Sequence, residues 1–294
     1  MPWQRPATVN TGNTQICAPP SIPIGNEAFA PRAETALWWL TNAGFLINSH
    51  GVLLMLDPAI MLSPDSPETS ETGHRLLVDL PLEATRVARL DAVLYTHADY
   101  DHFAPATARE LMRTGTHFVG PPPVARQLAE LGVPPDRLHL ARAGETVEVG
   151  LVAVEFTPAD HPWQIRDPAK FGPPWGSGDC CGYRVTTPDG VVWHPGDTRL
   201  MEEHLHTGGV DVLLLDVSRN RYHLGVENAA WLAEAVRASH IIPHHYGCYD
   251  APEATAHNPY NGDPAEVAAK LRDPARRLHL LAPGGKFVVR RDDR

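Results

Sequence analysis

Cysteine is scarce. The 294 residues hold four, Cys17, Cys180, Cys181 and Cys248, two of them adjacent and the others scattered. That is no disulfide framework, and it makes a reducing, cytoplasmic setting the expectation. Long apolar runs are missing too. Nothing approaches the roughly 18 uninterrupted apolar residues of a membrane span, and Met1 to Gly12 carries no apolar run of the signal-peptide kind. Positive charge is in deficit, with 25 Lys and Arg against 35 Asp and Glu for a formal charge of −10. This disfavours nucleic acid or an anionic membrane surface as main partner. A small-molecule substrate is the expected partner, and homo-oligomerisation stays open. No repeat of about 20–50 residues is visible, which excludes solenoids and propellers.

What is present is an ordinary globular composition, 43% hydrophobic and 20% charged, long enough for one large domain or two small ones. Residues 1–33 are Pro-rich with little apolar periodicity. They read as an extended arm that wraps the domain or reaches a neighbouring subunit, and residues 34–294 as the domain itself. Short strands are predicted over 36–40, 45–48 and 52–56, and a polar, Pro-rich surface loop over 63–81. A buried strand at 91–96 precedes a helix at 105–113 with Pro at its first turn. A strand at 116–119, a helix at 124–131 and a strand-turn-strand at 147–156 follow. Residues 162–179 read as a long loop rich in Pro, Gly and Trp. Further strands are expected at 182–186, 191–194, 211–217 and 240–243, with helices at 227–238 and 264–271. A closing hairpin is expected from 278–281 and 286–290. Periodicity alone supports a mixed α/β chain and no more.

Sixteen histidines is a high count, and their placement matters more than their number. His97, Asp99, Asp101 and His102 offer four potential metal donors in six residues, between a predicted strand and a helix. Without a cation such a group repels or desolvates badly, and imidazole with carboxylate suits Zn, Fe or Mn. A solvated polar loop is the plain alternative. Three later features repeat the same address, a donor just past an apolar run: His161 after Leu151 to Phe156, Asp197 after Val191 to Trp193, and His244-His245 after Ile241-Ile242. Strand ends are where functional groups are displayed, and four such addresses argue for one shared centre.

In this order, His97-x-Asp99-x-Asp101-His102, Thr157-Pro158-Ala159-Asp160-His161, His194-Pro195-Gly196-Asp197-Thr198 and Ile242-Pro243-His244-His245-Tyr246-Gly247, the motifs resemble the metallo-β-lactamase superfamily. With Trp39 to Ile47 and Leu56-Asp57-Pro58 they look most like the branch containing L-ascorbate-6-phosphate lactonase. The likeness covers about residues 36 to 290. It implies an αββα four-layer sandwich and two divalent metal ions, with Zn first and Mn or Fe as alternatives. His97, Asp99 and His161 would bind one ion, Asp101, His102 and His245 the other, and Asp197 would bridge them. His245 is preferred to His244 because the family places its ligand two residues after the proline. Most members carry His where this chain has Asp99. Two divalent ions, Asp99, Asp101, Asp197 and one hydroxide then sum to zero charge, so either the site favours harder metals and draws anions less, or Asp99 simply substitutes as a ligand.

The implied chemistry is attack by a metal-bridging hydroxide, formed because the cations lower the pKa of water from 15.7 toward ~7, on a lactone, another cyclic ester or a related carbonyl. Asp101 would orient or shuttle the proton. In the 162–179 loop, Arg166 either clamps a carboxylate or phosphate or lies solvated. His223 either donates a hydrogen bond to substrate or caps the following helix. Cys248 either lines the pocket or is a buried thiol. His50, His74, His117, His139, His204, His206, His240, His257 and His279 show no constellation. A phosphodiesterase resembling the N-acyl-phosphatidylethanolamine-hydrolysing branch is the second reading, on the strength of His161 to Arg166 and Trp175. A redox role like that of flavodiiron oxygen reductases, and a non-catalytic binding protein, are the readings from other classes.

Overall fold

Strict alternation in the first strands decides where two sheets can pack. In Thr35–Trp39, Leu37 and Trp39 point to one side and Ala36 and Trp38 to the other. Phe45–Ser49, Val52–Leu56 and Ala92–Leu94 repeat the pattern, with Phe45, Ile47, Leu54, Leu56 and Leu94 on the first side. A strand apolar on both faces must be covered on both. The structure, a computed structural model, describes residues 8–10, 14–250, 260 and 262–290.

One sheet runs in the order Leu138–Leu140, His117–Gly120, Ala92–Leu94, Val52–Leu56, Phe45–Ser49, Thr35–Trp39 and Lys286–Val288. Its first four strands are parallel and the rest antiparallel. The other runs Thr146–Val149, Val152–Pro158, Cys181–Thr187, Gly190–His194, Val212–Asp216 and His240–His244. Their inner faces share one core that holds Leu37, Phe45 and Leu54 together with Val154, Tyr183 and Val192. Helices Pro105–Leu111 and Pro122–Glu130 cover the first sheet's outer face through Ala108, Leu111, Val124 and Leu128. Helix Gly225–Ala235 lies against the second, burying Ala229, Leu232 and Ala233. The result is the expected αββα sandwich.

Trp39 crosses the inter-sheet core close to the site edge. It is fully buried, donates its Nε1–H to the Asn42 carbonyl at 2.8 Å, and stacks on Tyr246 at 5.2 Å. Trp39→Ala is expected to cost about 3–5 kcal/mol of unfolding free energy, the range for a large core aromatic, read from the shift in urea midpoint.

Several expectations need correction. Residues 63–81 are not featureless: Leu62–Ser63 and Ser66–Ser70 form a two-stranded hairpin. Glu71, just past it, accepts from the backbone N–H of Ala106 and Thr107 and from the Thr107 hydroxyl. It caps from a distance the helix that Ala104 cannot cap itself. The closing hairpin does not exist either. Leu278 bridges Ile241 in one sheet, while Lys286–Val288 pairs with Thr35–Trp39 in the other. The 162–179 loop contains a 3₁₀ turn, Trp163–Arg166, and a short helix, Pro168–Phe171. Ahead of the first sheet, Ala18 N–H donates to the Gly247 carbonyl and Ile24 N–H to that of Pro81.

Candidate metal centre

Strands 152–158, 190–194, 212–216 and 240–244 run in one direction through the second sheet. Strands 52–56 and 92–94 are likewise parallel in the first. Loops leaving the carboxyl ends of such strands are where α/β folds place ligands. Here His97, Asp101, His102, His161, Asp197 and His245 meet at one edge.

After the 92–94 strand, the chain folds back as the N–H groups of His102 and Phe103 donate to the Asp99 carbonyl at 2.9 and 2.7 Å. That turn brings the His97 and His102 rings within 4.0 Å of each other, tilted by 46°. Asp101 is steadied by Asn42, whose Nδ2 donates to Oδ2 at 3.0 Å. His161 comes off the 152–158 strand. Its Nε2 and that of His97 each lie 3.4 Å from Asp99 Oδ2. Asp197 is delivered by a turn in which Gly196 has φ +73°, and a Cβ there would sit 2.7 Å from the Cys181 carbonyl oxygen. His194 shapes that turn, accepting the Gly196 N–H at Nδ1 (3.0 Å) and donating Nε2–H to the Ala43 carbonyl (3.1 Å). His245 ends the 240–244 strand with φ +60°, a backbone conformation that costs a non-glycine residue about 1–3 kcal/mol and collects at functional sites.

Asp197 occupies the middle. Its Oδ2 is 3.9 Å from Nε2 of both His97 and His161 and 3.2 Å from Nε2 of His102, and its Oδ1 is 2.9 Å from Nε2 of His245. Three overlapping sets have donor atoms within 4.8 Å of one another: His97–His161–Asp197, Asp101–His102–His245 and Asp197–His223–His245. The neighbouring His244 stays out. It packs on His194 at 4.8 Å with both ring nitrogens unpartnered, and burial holds it well below the usual histidine pKa.

An outer layer selects the histidine tautomers. Asp57, fully buried, accepts Thr96 N–H at Oδ1 (2.7 Å), and the Thr96 hydroxyl (2.6 Å) and His102 Nδ1–H (2.8 Å) at Oδ2. With its proton given to Asp57, the Thr96 oxygen accepts His97 Nδ1–H at 2.9 Å. His161 Nδ1–H donates to the Tyr222 carbonyl at 2.9 Å. All three rings therefore keep Nδ1 on an outer partner and point Nε2 toward Asp197 as the nitrogen left for a cation, the arrangement that metal-binding imidazoles require. The donor set fits divalent cations. Carboxylates and imidazoles are packed together out of water, and His97 Nε2 is buried with no hydrogen-bond partner.

Electrostatics agree. Burial opposes the charge on His245, but Asp197 and Asp216 push its pKa up to about 9. Burial likewise opposes the charge on His102, and Asp197, Asp101 and Asp57 hold it well above the usual range. Without cations these imidazoles hold protons at neutral pH, so a metal must displace them. Metal affinity is therefore expected to rise as pH rises toward 9. Calorimetry in two buffers of different ionisation enthalpy should register the released protons.

A cavity of about 290 Å³ opens over the cluster, with His74, Tyr260, Asn220, His223, Trp163 and Arg166 in its walls. A larger cleft of about 560 Å³, between residues 17–21 and the 62–83 segment, has no imidazole in its lining. His223 is buried, with Nδ1 2.5 Å from Asp216 Oδ2 and 3.5 Å from Asp197 Oδ2. Arg166 reaches the rim of the same cavity. Cys248 does not line it; this is a buried thiol whose pKa burial pushes up to about 12. The sequence reading gave no role to Asp57, Asp216, Asn42 or His74. The two aspartates share the strand-end address of the ligands, a signal that was available. His74 reaches the cavity wall in company with Tyr260, whose hydroxyl lies 3.1 Å from its Nε2, a long-range pairing that no local pattern announces.

Comparison with known proteins agrees with this picture. A family model described as a beta-lactamase superfamily domain matches residues 65–246. A UPF0173 metal-dependent hydrolase of Methanoregula boonei is 32% identical over 242 residues, 81% of this chain and 94% of that protein. One from Pyrobaculum arsenaticum is 27% identical over 254 residues, 84% of this chain and 96% of its own length. Igni18, a metallo hydrolase from the archaeon Ignicoccus hospitalis, shares the fold with a TM-score of 0.62 at 20% identity, over 87% of this chain and 98% of its own. The chain belongs to the metallo-β-lactamase superfamily. Within it, the protein is a metal-dependent hydrolase. No helix among the described residues is long and apolar enough to cross a membrane.

Proposed function

We propose that the protein is a dinuclear metallohydrolase that opens a lactone or other cyclic ester of a small molecule. In this reading His97, Asp99 and His161 hold one ion, Asp101, His102 and His245 the other, and Asp197 bridges. The observation that carries it is the place of the Asp197 carboxylate, one oxygen facing His97, His161 and His102 and the other 2.9 Å from His245 Nε2. Asp99, at 3.4 Å from both His97 and His161, supports its role as a ligand in place of the more common histidine.

Divalent ions bound there supply Lewis acidity toward a substrate oxygen and toward water. The chain's own residues do the rest. Asp101, fixed by Asn42, orients the attacking water and takes up its proton. Asp216 holds His223 at the cavity wall through a 2.5 Å contact at Nδ1, which leaves the far edge of the ring to hydrogen-bond the substrate or its leaving oxygen. The half-buried Trp175 ring packs on His97 at 5.5 Å and His161 at 6.2 Å and narrows access for water.

Chelation followed by gel filtration is expected to abolish hydrolysis, and Zn, Mn or Fe added back singly should restore it. A panel of γ- and δ-lactones against bis-p-nitrophenyl phosphate tests the substrate class. Turnover of the phosphodiester alone would overturn the lactonase reading.

A further inference from the structure

The 161–175 loop that delivers His161 also builds a second polar feature. Its frame is rigid by local chemistry. Gln164 is buried and accepts the Trp175 N–H at 3.3 Å, and Asp167 caps the Pro168–Phe171 helix by accepting Lys170 N–H. Within the frame Trp163 and Phe171 meet edge to face at 4.9 Å. The Arg166 guanidinium lies against both rings, 4.8 Å from one centroid and 4.6 Å from the other. Such a bracket fixes a side chain that otherwise samples many rotamers.

The bracket holds the cation without supplying an acceptor of its own. Arg166 has no carboxylate within ion-pair distance among the described residues, whereas Arg184, Arg199 and Arg277 each have one. Beside it, Trp163 Nε1–H is buried with no hydrogen-bond partner. A buried unmet donor is costly, so a ligand atom that accepts from it gains. Both residues line the cavity over the metal centre. One wall of the pocket is therefore a fork of guanidinium donors beside an indole N–H, and no side chain among the described residues satisfies them.

We infer that this wall binds a carboxylate carried by the substrate at the end away from the bond that is cut, with Arg166 as the specificity-determining residue. The guanidinium fork matches a carboxylate in bidentate fashion, and one full positive charge balances a monoanion, where a phosphate monoester dianion calls for more. The inference rests on the hydrolase reading for its place in the reaction, though not for binding.

Two measurements test it separately. The first compares mono-4-nitrophenyl glutarate, which bears a carboxylate, with 4-nitrophenyl acetate, which does not. The ratio of their kcat/KM values should fall about 10- to 100-fold in Arg166→Gln, the scale of a lost charged hydrogen bond. The loss should sit mainly in KM. Arg166→Lys should recover part of the ratio, and Trp163→Phe, which keeps a ring but removes the N–H, should lower it severalfold. An unchanged ratio in Arg166→Gln overturns the inference.

The second measurement is calorimetric titration of the metal-loaded protein with glutarate and, in parallel, with inorganic phosphate. Glutarate affinity should drop at least tenfold in Arg166→Gln. Equal glutarate affinity in both proteins overturns the inference, as does Arg166-dependent binding of phosphate in preference to glutarate. If neither acyclic ester is turned over, the titration alone decides the carboxylate site, and the lactone panel decides the hydrolase reading.

Discussion

Asp197→Asn is expected to leave the fold intact, strip most bound metal and lower kcat/KM by about 10³-fold or more, at or beyond the upper end for removing one preorganised electrostatic group. The substitution is nearly isosteric, so core packing stays, while the charge shared by four imidazoles disappears. His97, His161, His102 and His245 all lie within 3.9 Å of that carboxylate. With it gone, neither imidazole set retains a negative ligand in common with the other. Elemental analysis beside circular dichroism checks the result. A folded Asp197→Asn protein with full metal content would remove the basis for placing Asp197 between the two ions.

Asp57→Asn should produce the second large effect without touching any proposed ligand. Oδ1 of Asp57 faces the Thr96 backbone N–H, and Oδ2 faces the Thr96 hydroxyl and His102 Nδ1. A carboxylate accepts from both sides, whereas an amide in either orientation turns an NH₂ toward a donor. If that NH₂ meets His102, the ring relaxes by moving its proton to Nε2, the atom that faces Asp197 and His245. The metal at Asp101, His102 and His245 should then bind about 10–100-fold more weakly, as for other lost outer partners. The ion at His97, Asp99 and His161 should be the better retained. Competition with a chromogenic chelator, fitted to two sites, reads this directly. Identical affinities at both sites in wild type and variant would refute the tautomer argument.

These two residues show what can be read without coordinates. Asp197 was recognisable because an apolar strand ends in a Pro-Gly turn that presents one acid, and His97, His161 and His245 stand at equivalent ends. The alternation of Leu37 and Trp39 against Ala36 and Trp38 likewise marks a sheet covered on both faces. Asp57 has the same address, yet it works through Thr96 and His102, 39 and 45 residues away, and nothing local distinguishes a proton acceptor from a ligand. The Leu62–Ser70 hairpin was missed because both its faces are largely solvated, so no apolar period marks it. The false hairpin at 278–290 had correct apolar runs. Their partners, Ile241 in one sheet and Thr35–Trp39 in the other, were long-range choices that local turn chemistry does not reveal.

The donors at the metal centre span the chain from His97 to His245 and leave strands in both layers. No fragment short of His245 brings both halves together, and the entropy of closing that long loop must be met by sheet pairing before any ion can repay it. During synthesis the amino-terminal strands emerge first, with one imidazole-carboxylate cluster and no counterpart. Ion capture by the complete donor set is therefore a late event, after the His240–His244 strand has docked, and the order of assembly is written into the spacing of the donors.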